Sequence, residues 1–335
     1  MQNNFKNKNK QIGILITNLG TPDSPTKKDL KKYLNQFLMD KRVVDLSRLF
    51  WVPLLKVIIL NVRPKKSAKL YKSIWTDQGS PLLAMSKNIL QRLKHTFSED
   101  NRDITFDLGM RYGNPSIKEA LQRFKDKSIS KILVLPLYPQ AGSPTTSSTF
   151  DAVSSYLSTQ SWTPNLRFIS GYHDHKDYII SLSRSIKDSF SKNGKPDKLI
   201  FSYHGMPDRY LQEGDPYYCF CHKTTRLVAE KLKLDKDHYE MAFQSRFGYE
   251  KWLQPYLDNM IPEMAKDGVN HLQIISPGFS VDCLETLEEI NIQYRELFED
   301  NGGKKFNYIP CLNDSDNQLA MIKNLVLENI KGWDS

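Results

Sequence analysis

The sequence predicts an α/β protein made of two halves of similar plan, each a parallel sheet flanked by helices. Three observations carry this prediction. Short apolar runs recur at Ile12–Thr17, Ile104–Leu108, Lys131–Leu137 and Leu166–Ile169, and again at Leu199–Tyr203, Tyr239–Gln244, Leu272–Ile275 and Phe306–Ile309. Stretches with helical spacing separate them, which is the alternation of a βαβ fold. In each half the second run leads into a basic-aromatic turn, Arg111-Tyr112-Gly113 or Arg246-Phe247-Gly248, and the third ends in proline, VLPLYP or QIISPGF. A linker falls near Tyr172–Tyr178.

The leader MQNNFKNKNK carries Lys6, Lys8 and Lys10 and lacks the apolar stretch of a secretory signal. Ile12–Thr17 has the continuous apolar pattern of a buried parallel strand, and Asn18-Leu19-Gly20-Thr21-Pro22 reads as the turn that ends it. Leu30, Tyr33, Leu34 and Phe37 follow at helical spacing. The segment 43–60 differs from the rest, with Leu49-Phe50-Trp51-Val52-Pro53-Leu54-Leu55 at its centre and Arg63-Pro64-Lys65-Lys66 just beyond. It reads either as a buried core helix or as an exposed apolar lip with a cationic rim, suited to a greasy anionic ligand or a membrane surface. Periodicity does not separate the two. After the third run comes the Ser/Thr-rich loop Ala141–Thr149, which lacks the Gly-Lys-Ser/Thr of a P-loop. No G-x-G-x-x-G occurs in the chain, so nucleotide cofactors find no support. Met321–Ile330 has the spacing of a final amphipathic helix.

Two stretches concentrate the chemistry. From His271 to Gln293 the chain reads as a strand, a break at Pro277-Gly278, and a helix marked by Leu284, Leu287 and Ile290. That helix carries Asp282, Glu285, Glu288 and Glu289. On an α-helix Glu285 and Glu289 share a face, with Gln293 next in the row. One reading makes Asp282-Cys283-Leu284-Glu285 a capping box whose acids serve the helix dipole. The other places the two carboxylates in a cleft, where they share a proton or gather a cation. The second stretch, KLIFSYHGMPDRY, puts His204 at the carboxyl end of a strand. A lone histidine is more often structural, but strand ends of parallel sheets are where chemistry collects. If the two turns adjoin, an imidazole facing two carboxylates accepts protons and holds a divalent cation.

At 335 residues the chain exceeds the usual single core. With 39% hydrophobic and 25% charged residues it has the composition of an ordinary globule. No run is long enough to span a bilayer, and Leu49–Leu60 is interrupted by Pro53 and Lys56. The net charge of +9 suits nucleic acid, anionic lipid or an acidic small molecule. Without a helix-turn-helix, RNP or zinc-finger signature, nucleic acid is not an expected partner. Cys219, Cys221, Cys283 and Cys311 read as reduced thiols of a cytoplasmic protein. Cys219-Phe-Cys221-His222 is a weak metal motif, because no second ligand pair accompanies it.

The motifs LITNLGTPDSP, SYHGMP, GDPYY, QSRFG with Trp252, SPGFSVDCLETLEEI and GGKKFNYIP together resemble the ferrochelatase family, which inserts ferrous iron into a porphyrin in haem synthesis. The resemblance runs from Ile12 through essentially the whole chain. It implies two Rossmann-like domains with an active-site cleft between them: 1–172 including the apolar lip 43–60, then 173–312, with a helix in 313–335 packing back on the first. It implies His204 as the active-site histidine and Glu285 as the acid, both meeting the metal, with Glu289 continuing an acidic row along a helix that often carries π-type turns. Leu19, Tyr112 and Trp252 fall at porphyrin-wall positions, and Leu46–Leu55, with Leu49 and Trp51, at the lip. The implied substrates are protoporphyrin IX and Fe²⁺ and the product is protohaem. A cytoplasmic monomer with peripheral membrane contact and no permanently bound cofactor is expected.

Two departures from the family pattern stand out. Ser143 occupies the place where some relatives put a cluster cysteine, and no cysteine follows Cys311, so a [2Fe–2S] cluster is not expected. Cys283 stands where several relatives have a histidine, removing one relay residue. Two rivals remain at this stage: a cobalt- or nickel-type tetrapyrrole chelatase, and a haem or metal carrier without catalysis.

Overall fold

The computed structural model describes residues 11–98, 102–248 and 250–333, so Lys6, Lys8 and Lys10 lie outside it. Among the described residues, eight strands form two four-stranded sheets. The first contains β1 (Ile12–Thr21), β2 (Ile104–Gly113), β3 (Lys131–Pro136) and β4 (Asn165–Phe168), all parallel, in the order β2-β1-β3-β4. The second contains β5 (Lys198–His204), β6 (Tyr239–Gln244), β7 (His271–Ile275) and β8 (Lys305–Ile309), all parallel, in the order β6-β5-β7-β8. Every expected apolar run is a strand, and the plan of the first half is repeated in the second. The order of connection reverses between β1 and β3 in one sheet and between β5 and β7 in the other. Open α/β sheets bind ligands beyond the strand ends at that point.

The first two strands run further than their sequence suggests. Asn18–Thr21 and Arg111–Gly113 read as turns, yet they continue the ladder, with Gly20 paired to Tyr112 and Thr21 to Gly113. Gly20 permits this approach: its φ is +104°, and a Cβ there would stand 1.7 Å from the Tyr112 carbonyl oxygen. In the second half the strand does stop at Gln244, before Arg246-Phe247-Gly248.

The chain divides into two compact units. The described residues of one lie within Met1–Tyr138, Ser143–Gly171 and Leu319–Ser335, and those of the other within Pro139–Gly142 and Tyr172–Gln318. In the first unit Leu15 and Val134 of the sheet pack with Ile117, Leu121 and Phe124 of the helix Ile117–Asp126 and Val153 of the helix Ser148–Leu157. In the second, Ile200, Leu272, Ile274 and Phe306 pack with Leu257 and Ile261 of the helix Leu257–Lys266, and with Ile290, Tyr294 and Phe298. The end of the helix Asp316–Asn329 is tied to the first unit. Arg167 Nη1 donates to the carbonyls of Asn329 and Lys331, and its guanidinium lies 4.3 Å over the Trp333 ring. A cation on these last carbonyls satisfies groups that a helix end leaves open.

Segment 43–60 divides its two sequence readings between two faces. Helix Arg48–Pro53 runs through a π-helical stretch, Leu54–Ile59, into helix Leu60–Ile74. Trp51, Leu55 and Leu60 point inward and join Tyr33, Leu34 and Leu38, the buried face of helix Lys27–Leu38. On the other face Leu49 is 91% exposed, Phe50 65%, Val57 69%, Ile58 55% and Val62 70%.

Candidate active site

His204 is the last residue of β5 and pairs in register with Gln244, the last residue of β6. The chain then passes through a gap that only glycine fits. Gly205 N donates to Gln244 O at 2.7 Å, and a Cβ on Gly205 would meet that oxygen at 2.7 Å and Trp252 Cε3 at 3.0 Å. The Tyr217 hydroxyl donates to the His204 carbonyl at 3.0 Å and holds the strand end from the other side. His204 Nδ1 lies 2.6 Å from the Gly205 carbonyl oxygen. That oxygen only accepts, so in the neutral ring the proton sits on Nδ1 and Nε2 carries the lone pair.

The acidic segment after β7 is a π-helix, Glu285–Tyr294, which continues into the helix Arg295–Asp300. This is the π-type turn that the family resemblance implied, and it corrects the α-helical row read from spacing alone. With hydrogen bonds running from i to i+5 the turn is wider, and side chains five apart meet. Gln293 Nε2 therefore donates to Glu288 Oε2 at 2.6 Å, and the Tyr294 hydroxyl donates to Glu289 Oε1 at 3.1 Å. The expected capping box is also different. Thr286, not Glu285, supplies the partner: its Oγ1 donates to Asp282 Oδ1 at 3.0 Å and accepts from Cys283 N at 3.0 Å.

Glu289 is held by four donors. Ser245 N and the Tyr294 hydroxyl reach Oε1 at 2.9 and 3.1 Å, while Gln244 Nε2, at 3.1 Å, and the Ser245 hydroxyl reach Oε2. Burial still pushes its carboxyl above the ordinary glutamate value, and the charge of Glu285 adds to the rise. The bonds from Ser245 and Gln244 and the nearby His204 imidazole pull it partly back. Gln244 is fully buried and knits the site together: it also donates to the Glu285 carbonyl at 2.8 Å and accepts from Ser202 Oγ at 2.6 Å. Cys283 is a buried thiol raised by burial and by Glu285 beside it, so it stays protonated.

The structure thus gathers His204, Glu285, Glu289 and Trp252 in the second unit. Trp252 is buried behind Gly205, with the Phe247 ring edge-on at 4.8 Å. Leu19, Tyr112 and Trp51 fall in the first unit, around one core cluster. Tyr112 is buried there, its hydroxyl donating to Asp40 Oδ2 at 2.8 Å beneath the Arg111 guanidinium. Trp51 is buried too, its indole N–H donating to the Leu38 carbonyl at 2.7 Å. Leu49 alone of this set stands in solvent. Sequence reasoning missed Gln244, Ser245 and Tyr294. A polar glutamine ending the strand beside the histidine strand was the available signal for the first.

Among the described residues no three His, Cys, Asp or Glu side chains form a ready cation cage. Cys219 is exposed and Cys221 buried on the helix Tyr217–Leu232, since residues two apart on a helix do not face one another.

The Ferrochelatase family model matches residues 11–330. The chain belongs to the ferrochelatase family. Over 316 residues it is 51% identical to Ferrochelatase 2 of Shewanella oneidensis, covering 94% of this chain and 97% of that protein. It is 49% identical over 327 residues to the Ferrochelatase of Hydrogenovibrio crunogenus, covering 96% and 86%. Among solved structures, SirB from Bacillus subtilis with Fe³⁺ aligns with a TM-score of 0.59 over 96% of each chain at 11% identity, a likeness of fold alone. Ferrochelatases are metal-insertion enzymes that make protohaem. No helix among the described residues is long and apolar enough to cross a membrane.

Proposed function

We propose that the chain inserts Fe²⁺ into protoporphyrin IX to form protohaem, with His204, Glu285 and Glu289 handling the protons and the metal. The observation that carries this reading is the Glu289 carboxylate, raised in proton affinity and fixed by four donors beside His204. Metallation exchanges two pyrrole protons for one Fe²⁺ and strips water from the ion, so the site needs proton acceptors and a hard ligand for a hydrated cation. His204 Nε2 presents its lone pair and takes a pyrrole proton. Glu285, in the first turn of the π-helix, meets the incoming cation. Glu289, with its raised affinity, receives this first proton from the imidazole, and the freed Nε2 then takes the second pyrrole proton, so both have an acceptor as Fe²⁺ enters. Trp252 backs the histidine as an apolar wall.

The reading needs no resident cofactor, iron being a substrate. It extends to a cytoplasmic monomer that touches anionic membranes through Leu49, Phe50, Val57, Ile58 and Val62, flanked by the exposed Lys56, Lys65, Lys66 and Lys69. The domain limits 1–172, 173–312 and 313–335 belong to the same proposal.

The test is an anaerobic assay of purified protein with Fe²⁺ and protoporphyrin, following loss of free-base fluorescence, with Co²⁺, Ni²⁺ and coproporphyrin in parallel. Turnover beyond one equivalent with Fe²⁺ is expected, and consumption that stops at one equivalent makes the protein a carrier. Glu285→Gln should lower kcat by about 10²-fold or more while porphyrin binding persists. Near-normal turnover in that variant removes Glu285 from the reaction.

A further inference from the structure

We infer that Tyr308 is a positioning residue for Glu285, acting through the buried carboxylate of Asp282. The inference rests on the reading that Glu285 works in metal insertion. Asp282 stands three residues before Glu285, at the foot of the π-helix, and is buried. Its Oδ1 accepts from the Tyr308 hydroxyl at 2.6 Å, from Thr286 Oγ1 at 3.0 Å and from Cys311 N at 3.3 Å. Its Oδ2 accepts from Asn313 Nδ2 at 2.7 Å, and Asp282 N donates back to Asn313 Oδ1 at 2.8 Å, so the two residues clasp through a pair of bonds. The donors come from β8, from the loop that follows it, and from the first turn of the π-helix.

The arrangement transmits a position. Tyr308 lies in β8 and pairs in register with Ile274 of β7, so its hydroxyl is a fixed point of the sheet. From there the path runs to Asp282, then to Thr286 Oγ1, which also takes the N–H of Cys283. Thr286 follows Glu285 directly and Cys283 precedes it by two, so the backbone on both sides of the acid is tied to one carboxylate. Gln244 holds the Glu285 carbonyl from the other direction at 2.8 Å. Moving this backbone means leaving buried polar groups unpaired, so the Glu285 side chain starts from a fixed point of the π-helix.

Tyr308→Phe keeps the ring and removes the hydroxyl. The expected result is a fall in kcat of about tenfold with an unchanged KM for porphyrin, because a small misplacement of a reacting group costs rate and not binding. Thr286→Val should do the same and Thr286→Ser, which keeps the hydroxyl, should not. In the Thr286→Val background, Tyr308→Phe should lower kcat no further, since both cut one path. Tyr156→Phe removes a tyrosine bond to Gln122 Oε1 in the first unit, 2.9 Å long, and controls for a plain loss of stability. Equal losses from Tyr308→Phe in both backgrounds, or an unchanged kcat, overturn the inference. If Tyr308→Phe does not fold, the Thr286→Val and Thr286→Ser pair decides, and equal kcat in those two overturns it. A Glu285→Gln enzyme of normal turnover sinks the functional reading instead, whatever Tyr308 does.

Discussion

The Tyr294 hydroxyl donates to the Glu289 carboxylate from five residues further along the chain, at 3.1 Å. In an α-helix two such side chains point about 140° apart and do not meet. The π-helix Glu285–Tyr294 brings them together, and so adds a donor to an acid that burial has made basic. Burial also pushes the Tyr294 phenol well up, so it remains a donor throughout the working range of pH.

Removing that donor should be visible in the rate profile. The bond favours the charged form of Glu289, so Tyr294→Phe raises its proton affinity further. The acid limb of kcat against pH should move to higher pH, with the plateau above it retained. An unmoved limb would mean that Glu289 does not titrate in the step that limits turnover.

The same raised affinity has a consequence for stability. A carboxyl whose folded value lies above its unfolded one, about 4.3, binds more protons folded than unfolded in the interval between. Its contribution is fully present below the unfolded value and is lost as pH rises through the folded one. Glu289→Gln mimics the protonated form. Its melting temperature relative to the parent should therefore rise with pH across that interval, and the difference should vanish in more acid solution. Thermal melts from pH 4 to pH 8 measure this, and a difference independent of pH would contradict the raised value.

Gly205→Ala should be far more damaging than an alanine elsewhere in a loop. Its Cβ would lie 2.7 Å from the Gln244 carbonyl oxygen, which is backbone, and 3.0 Å from the Trp252 ring. The strand ends carrying His204 and Gln244 must part to admit it. Loss of turnover with a lowered melting temperature is expected, overpacking strain costing about 1–3 kcal/mol of stability. A variant of parental stability and rate would show that the close approach of β5 and β6 is not required.

Much of the fold was legible, for a simple reason. A parallel strand buried on both faces must be apolar along its length, and Ile12–Thr17 or Leu272–Ile275 can hardly be anything else. The extension of β1 and β2 was not, because Asn18, Gly20 and Pro22 are turn residues by composition, while here Gly20 serves a close backbone approach. Of the site, His204 and Glu285 were named from strand-end position, acidic spacing and family resemblance. The partners of Glu289 were not, since the periodicity argument assumed 3.6 residues per turn, put Gln293 in the row, and so passed over Tyr294. Ser245 takes a positive φ of 65°, which nothing in a serine announces.

The apolar face of the helical segment 48–74 yields a further expectation. A Leu49→Glu, Ile58→Glu double variant should lose retention on anionic phospholipid vesicles, since both side chains are exposed and neither supports the core. Trp51, although within the same segment, is buried and bonded to Leu38, so its emission should stay constant as vesicles are added. Retention of the double variant at the parental level would assign the face to some other role.

That bare face also governs how copies of the protein treat one another in solution. With a net charge of +9, copies repel at long range, while the exposed leucine, isoleucine and valine side chains attract at contact. Salt shortens the reach of the repulsion from about 10 Å at 0.1 M to about 3 Å at 1 M and leaves the attraction intact. Raising ionic strength should therefore favour self-association of this chain, the reverse of the effect expected on any binding to an anionic surface. On that expectation, self-association and any lipid contact would draw on the same side chains and respond to salt with opposite sign.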